Sequence, residues 1–282
     1  MTERVGVVTC SVEDIDPDSP VLLEALARAG VSAELVVWDD PAVDWDRYAL
    51  SVIRSTWDYV DKFDQFRAWV ARTPRLVNPA AAVEYSLDKH YLGDLAERGV
   101  DVVPTTFVDV GVAPSFPEGH FVVKPAIGAG SMSAERYDAA AIAAARDHVR
   151  ALHEDGRDVL VQPYVASVDT DGECALIFVE GEFSHAVRKG PMLNVPELDR
   201  RALYRQELIS VMDPPHDAVQ TGQRVLESLG LGELLYARVD VLRDGNRWLL
   251  LELELVEPSL FLAFDPTVGD RLARAIAHRV SI

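Results

Sequence analysis

Apolar runs that read as strands alternate with amphipathic segments that read as helices through the first eighty residues, and no other feature narrows the accessible folds as far. Val5 to Thr9 reads as a buried strand, Pro20 to Ala29 as a helix closed by Gly30, and Ala33 to Val37 and Ala49 to Ile53 as two further strands. Phe63, Phe66, Trp69 and Val70 then mark one face of a helix. Strands that alternate with crossover helices pair in parallel, so this region is expected to be an open α/β unit. Ligands of such sheets collect beyond the carboxyl ends of the strands, here Thr9-Cys10-Ser11 and the segment Arg54-Ser-Thr-Trp-Asp-Tyr59.

Asn78-Pro79 interrupts the pattern, and a boundary falls near residues 80 to 85. Lys89 opens a helix that runs to Arg98 and is closed by Gly99. From Phe121 the order is strand, glycine-containing loop, strand at Ser133 to Tyr137, Ala-rich helix at Ala139 to Glu154, and strand at Val159 to Gln162, which is the pattern of a small α+β lobe. Strands follow at Glu173 to Val179 and Glu182 to Arg188, then a helix around Ala218 to Leu229, strands at Tyr236 to Leu242 and Trp248 to Leu255, and a final helix. Gly181 and Asp244-Gly245-Asn246 read as hairpin turns. The expected division is therefore 1–83, an N-terminal α/β domain; 84–165, a central region with the small lobe; and 166–282, a C-terminal lobe.

Composition excludes several classes. A net charge of −19 opposes binding to nucleic acid or anionic lipid, no basic stripe offsets it, and no apolar run is long enough to span a membrane. The start lacks the features of a secretory signal, so a cytoplasmic location is expected. Cys10 and Cys174 fit no ligand spacing and read as small buried residues. Any anionic ligand must be drawn in by a local cluster of cations.

Those cations stand out because the chain has four lysines against twenty-three arginines. Where any solvated positive charge suffices this composition supplies Arg, so a lysine that persists points to a compact ammonium among phosphate oxygens. Lys62 reads as a solvated helix residue; Lys89, Lys124 and Lys189 are the phosphate candidates. Lys124 ends an apolar strand, and Ala126-Ile-Gly-Ala-Gly-Ser-Met-Ser133 follows, with Gly128, Gly130 and Ser131 in a loop whose N–H groups can approach phosphate closely. The loop lacks the Gly-Lys-Ser/Thr ending of a P-loop.

The strand Tyr236-Ala-Arg-Val-Asp-Val-Leu242 places Arg238 and Asp240 on one face, and Leu251-Glu-Leu-Glu-Leu255 places Glu252 and Glu254 on one face. Paired through the Gly245 turn, the three carboxylates converge and call for a hard cation such as Mg²⁺. These strands alone equally allow a solvated acidic stripe.

The ordered set Lys89, Val123-Lys124-Pro125 with its glycine loop, Val161-Gln162-Pro163-Tyr164, Gly172-Glu173, Arg188-Lys189, Arg238-x-Asp240 and Glu252-x-Glu254 resembles the ATP-grasp superfamily along the whole chain. The resemblance implies an ATP-grasp fold, α/β and α+β, in which an N-terminal α/β domain joins a small lid lobe and a C-terminal lobe that enclose ATP. It implies that Lys89 and Lys124 hold phosphates under the glycine loop, and that Gln162, Tyr164 and Val165 flank the adenine. Glu173 would meet either the ribose or a phosphate-binding cation. Lys189 and Arg238 would stabilise the transferring phosphoryl group, with Asp240, Glu252 and Glu254 on Mg²⁺. The family usually ends this signature with Asn, where Glu254 stands here.

By the same resemblance the reaction converts a carboxylate into an acyl phosphate for attack by nitrogen. A small amino-acid-like substrate would be met by Thr9, Ser11, Arg54 and Asp58, with Arg54 and Asp58 clamping its carboxylate and amine. Trp57 and Tyr59 read equally well as packing at a domain interface, and His185 as a hydrogen-bonded structural histidine. Val8-Thr-Cys-Ser11, Trp38-Asp-Asp40, Arg54 to Tyr59, Ser184 to Pro191 and Leu253-Glu-Leu-Val-Glu-Pro-Ser259 together resemble the O-ureido-serine cyclo-ligases, which make D-cycloserine by intramolecular ring closure. Two readings stand beside this: a ligase joining two separate amino acids or peptides, and a non-catalytic nucleotide-binding regulatory module. Relatives of this shape are often dimers, so a homodimer is implied.

Overall fold

A computed structural model describes residues 4–12, 16–130, 132–191, 193 and 208–281. The N-terminal unit comprises β1 (Arg4–Thr9), α1 (Asp18–Arg28), β2 (Ser32–Val37), β3 (Tyr48–Ser55), α2 (Phe63–Arg72) and β4 (Leu76–Val77). Its strands are parallel in the order β2-β1-β3-β4, as the alternating pattern implied. Helices lie against both faces of a parallel sheet, which is why β1 and β3 read as unbroken apolar runs and why Val5, Val7, Val8, Val52 and Ile53 are fully buried. On α2, Phe66, Trp69 and Val70 are buried, and the rings of Phe66 and Trp69 meet Trp38 edge-on.

The chain continues through α3 (Ala80–Leu87) and α4 (Tyr91–Glu97) into a second sheet. This lobe comprises β5 (Thr106–Val108), β6 (Phe121–Pro125), β7 (Glu135–Tyr137), α5 (Ile142–Glu154) and β8 (Val159–Pro163). Its strands are antiparallel in the order β5-β8-β6-β7, and α5 covers one face with Ala145, Val149 and Leu152. Neither α3 nor β5 was expected, because each is short and weakly periodic.

The third sheet, β11-β10-β9-β12-β13, is antiparallel throughout. It contains β9 (Glu173–Val179), β10 (Glu182–Lys189), β11 (Ile209–Met212), then α6 (His216–Leu229), β12 (Tyr236–Asp244), β13 (Arg247–Glu254) and the final α7 (Pro266–Val280). Glu180 and Gly181 turn β9 into β10 with φ of 53° and 79°, the positive pair that a two-residue hairpin needs. Gly245, at φ 59°, turns β12 into β13.

The first and third sheets share one core. Val5, Val7, Leu22 and Leu26 pack in the same cluster as Ala175, Ile177, Val187, Leu272 and Ile276. Asn78 locks the junction: its Nδ2 donates to Tyr236 O at 2.9 Å and Leu255 O at 2.8 Å, and its Oδ1 accepts from Leu235 N at 2.7 Å. The residue that reads as a chain break is thus a fully buried strut, and the carboxyl ends of the N-terminal strands are brought beside the face of β12 and β13. Among the described residues no helix is long and apolar enough to cross a membrane.

Candidate active site

A cleft of about 1580 Å³, counted to its open mouth, lies between the second and third sheets. Its floor is the polar face of β12 and β13. Arg238 stands opposite Glu254 and Asp240 opposite Glu252, the convergence that the two-residue period and the Gly245 turn imply. Arg238 Nε donates to Asp240 Oδ1 at 2.9 Å and its Nη2 to Asp240 Oδ2 at 3.0 Å and to Glu254 Oε1. The acidic face is therefore enclosed and ion-paired rather than a solvated stripe: Asp240 is 1 % exposed.

Lysines close the face from three sides. Lys189, at the end of β10, places Nζ 3.1 Å from Glu173 Oε2 and 3.2 Å from Asp240 Oδ2, so Glu173 meets a cation expected at the phosphates. Lys89 Nζ lies 3.1 Å from Glu252 Oε1 and donates to Gly128 O at 2.8 Å. Its own N–H donates to Ala126 O at 3.0 Å, which ties it to the glycine loop; the helix it was expected to open begins two residues later, at Tyr91. Lys124, on β6, lines the same cleft; burial is the main cause holding its ammonium below the ordinary lysine range, Glu252 and Glu173 oppose that, and Lys89 and Lys189 add to it. Burial drives the carboxyls of Glu252 and Glu254 upward alike. Lys89, Lys124 and Lys189 overcome that for Glu252 and hold it well below the usual range, whereas Glu254, near Glu252 and Asp240, stays above it despite Arg238.

The glycine loop forms the roof. Gly128 and Gly130 both line the cleft; Gly130 has φ 60°, and a Cβ on Gly128 would come within 3.2 Å of Pro125 Cγ. Ser131 lies outside the described residues. At the far end Tyr164 and Val165 join Val103, Val168, Leu242 and Leu251 in an apolar slot. Gln162 borders it, fixed by a 2.8 Å bond from its Nε2 to Thr105 Oγ1. A flat heterocycle suits such a slot, with phosphates extending toward the lysines.

A family model described as "D-cycloserine synthetase DcsG, N-terminal domain" matches residues 5–78. The cycloserine biosynthesis protein DcsG of Streptomyces lavendulae is 39% identical, across 98% of this chain and 98% of its own length. The chain belongs to the DcsG family. The crystal structure of a D-cycloserine synthetase DcsG superposes with a TM-score of 0.88 at 36% identity, covering 98% of this chain and 99% of that one. The D-alanine–D-alanine ligase of Bacillus anthracis, solved with ATP, reaches a TM-score of 0.68 at 13% identity over 99% of this chain and 97% of its own. That second likeness concerns the fold, which is the ATP-grasp fold.

Within this DcsG-family frame the four residues expected to hold substrate do not line the cleft. Arg54 is fully buried beneath it: Nη2 donates to Pro258 O at 2.8 Å and lies 3.8 Å from Asp18 Oδ2. Asp58 accepts from Trp38 Nε1 at 2.8 Å and from Lys62 Nζ at 2.8 Å, so in this structure neither charge of the expected amino-acid clamp faces the cleft. Lys62 is a strut, with Asp39 as its second partner at 2.6 Å. Thr9 Oγ1 accepts from Ser55 Oγ at 2.8 Å, and Ser11 is exposed away from the cleft.

The N-terminal unit instead contributes Trp57 and Tyr59, and the segment after β13 contributes Glu257 and Ser259. Leu242 could have been anticipated, since it shares the strand face of Arg238 and Asp240. Leu251 could not: the pairing skips it between Asp240↔Glu252 and Val241↔Leu250, and that bulge turns it to the cleft. His185 lies outside the cleft, with Nε2 2.9 Å from Leu260 O, consistent with a structural histidine.

Proposed function

We propose that this protein is an ATP-dependent ligase that converts O-ureido-D-serine into D-cycloserine. The observation that carries the reading is the enclosed cleft in which Lys89, Lys124, Lys189 and Arg238 meet Glu173, Glu252 and Glu254, with Asp240 buried behind Arg238 and Lys189, in a chain 39% identical to a cycloserine biosynthesis protein. The donor chemistry suits Mg²⁺: Glu252 and Glu254 present hard carboxylate oxygens to the cleft from β13, and Asp240 stands opposite Glu252 on β12. Bound there, ATP would supply the phosphoryl group and Mg²⁺ would offset the charge of its oxygens. Lys89 and Lys124 hold the phosphates, Lys189 and Arg238 meet the charge that develops in transfer, and the apolar slot at Tyr164 and Val165 takes the base. The glycine loop covers the site and keeps water from the activated carboxyl.

The chemistry of the substrate fits one closed site. Attack on the activated carboxyl by the nitrogen bonded to oxygen closes a ring of five atoms, with release of phosphate. The carbamoyl group then departs with one water as carbon dioxide and ammonia. Our proposal includes a small-molecule substrate, a cytoplasmic enzyme, a homodimer, and the three units 1–83, 84–165 and 166–282.

ADP release with Mg²⁺, compared between O-ureido-D-serine alone and panels of paired amino acids, tests the reading. Turnover with the single compound supports the cyclo-ligase. Turnover only with pairs replaces it with an intermolecular ligase, and ATP binding without turnover replaces it with a regulatory module.

A further inference from the structure

Glu257 is a carboxylate inside the cleft with no role in the phosphate or metal arrangement above. It lies three residues beyond β13, is 8 % exposed, and lines the cleft beside Trp57, Tyr59 and Lys89. Its backbone is fixed on three successive carbonyls. Tyr236 Oη donates to Val256 O at 2.8 Å, Trp57 Nε1 donates to Glu257 O at 2.9 Å, and Arg54 Nη2 donates to Pro258 O at 2.8 Å. The tethers come from the N-terminal unit and from β12, so two units of the fold jointly aim this side chain.

The other cleft carboxylates are committed to cations, Glu173 to Lys189, Glu252 to Lys89 and Glu254 to Arg238, and Asp240 buried behind them is paired with Lys189 and Arg238. Glu257 is acted on by the Lys89 charge and hydrogen-bonded to the Tyr59 hydroxyl and to its own backbone N–H, and the cost of burying its carboxylate still outweighs all three. The charged and titratable groups around it are Lys89 from the α3–α4 connection, Tyr59 from the segment after β3, Glu252 from β13, and Tyr236 with Arg54 beneath. Burial pushes the carboxyl up to about 7; Lys89 and Tyr59 pull it down, and Glu252 pushes it up. A carboxylate in that range can accept a proton at neutral pH and release it again.

We propose that Glu257 is the general base of ring closure. As the nitrogen bonded to oxygen attacks the acyl phosphate, the N–C bond forms, the C–O bond to phosphate breaks, and phosphate leaves with that electron pair. The proton on the attacking nitrogen passes to the Glu257 carboxylate and from there to water. The inference rests on the cyclo-ligase reading and deepens it.

The experiment compares wild type, Glu257→Gln and Tyr59→Phe with Mg²⁺, ATP and O-ureido-D-serine, after thermal melting and ATP binding establish that each is folded. Wild type that releases no ADP with this compound would sink the cyclo-ligase reading itself. Given turnover, Glu257→Gln is expected to lower D-cycloserine formation about 10²- to 10⁴-fold. It should still form acyl phosphate, trapped as the hydroxamate by added hydroxylamine, a nucleophile that needs no base. Tyr59→Phe removes a hydrogen bond that favours the ionised carboxyl, so the acid limb of kcat should move to higher pH. Equal loss of trapping and ring closure in Glu257→Gln, or a raised KM with kcat intact, overturns the proposal in favour of substrate binding. An unmoved acid limb in Tyr59→Phe overturns it too, and decides the matter alone if Glu257→Gln does not fold.

Discussion

Lys89 Nζ stands 3.1 Å from Glu252 Oε1, joining the entry of α4 to the last strand of the third sheet across the cleft. The same ammonium also reaches Gly128 O at 2.8 Å, so one side chain touches roof and floor. Removal of either charge leaves the other in a half-enclosed site where water screens it poorly. The cluster therefore behaves as one electrostatic unit.

Lys89→Met is expected to lower kcat/KM for ATP by about 10- to 10²-fold, the scale of losing a charge-assisted hydrogen bond to a bound phosphate. Lys89→Arg should not restore it, because a planar fork cannot occupy the point between Glu252 and Gly128. ADP release at varied ATP measures both.

Asp240 is the hub of the floor, shared by Arg238 and Lys189. Asp240→Ala is expected to cut turnover by at least about 10²-fold and to raise the Mg²⁺ needed for half-maximal rate. Glu254→Asn should cost about tenfold in Mg²⁺ affinity while keeping turnover, because Arg238 retains Asp240 as partner. A Mg²⁺ titration of ADP release separates the two.

Arg54→Met should act on stability. Arg54 and Asp18 are 0% and 3% exposed at 3.8 Å, and loss of one buried partner costs about 3 kcal/mol. Urea denaturation should show that loss. Intact stability with a raised substrate KM would restore Arg54 as a substrate clamp.

Gly222 lies on α6 where an added Cβ would stand 2.8 Å from Phe178 Cζ and 2.9 Å from Leu176 Cδ1. Helix propensity favours Ala by about 1 kcal/mol, but overpacking costs about 1–3 kcal/mol. Both obstructing groups are fully buried, so overpacking should win and Gly222→Ala should lower the urea midpoint.

His185 gives stability a dependence on pH. Burial lowers its pKa below 6.5, against the opposing hydrogen bond to Leu260 O and the charge of Asp265. The unfolded chain then binds the proton more readily, so the contribution is present above about pH 6.5 and is lost as pH falls through the folded value. His185→Gln should flatten this part of the Tm profile between pH 7 and 5. An identical slope in wild type and variant would show that His185 carries none of it.

The face that holds Asp240, Glu252 and Glu254 was legible because strand side chains alternate locally and Gly245 can take the positive φ that closes the hairpin. The parallel N-terminal sheet was legible for a similar reason: its alternating apolar periods imply crossovers whatever surrounds them. Charge and spacing could not reveal that Arg54 turns down to Pro258 and Asp18, or that Asp58 serves Trp38 and Lys62, because the direction of a side chain at a strand end depends on what packs beneath it. Glu257 lies outside any strand and carries no period to announce it; Trp57, Arg54 and Tyr236 aim it from distant parts of the sequence. Local repeats and turn chemistry thus determined which elements form and which residues share a face. Only the tertiary structure decided which charged groups enter the cleft, because burial and hydrogen-bond partners arise where separate elements meet.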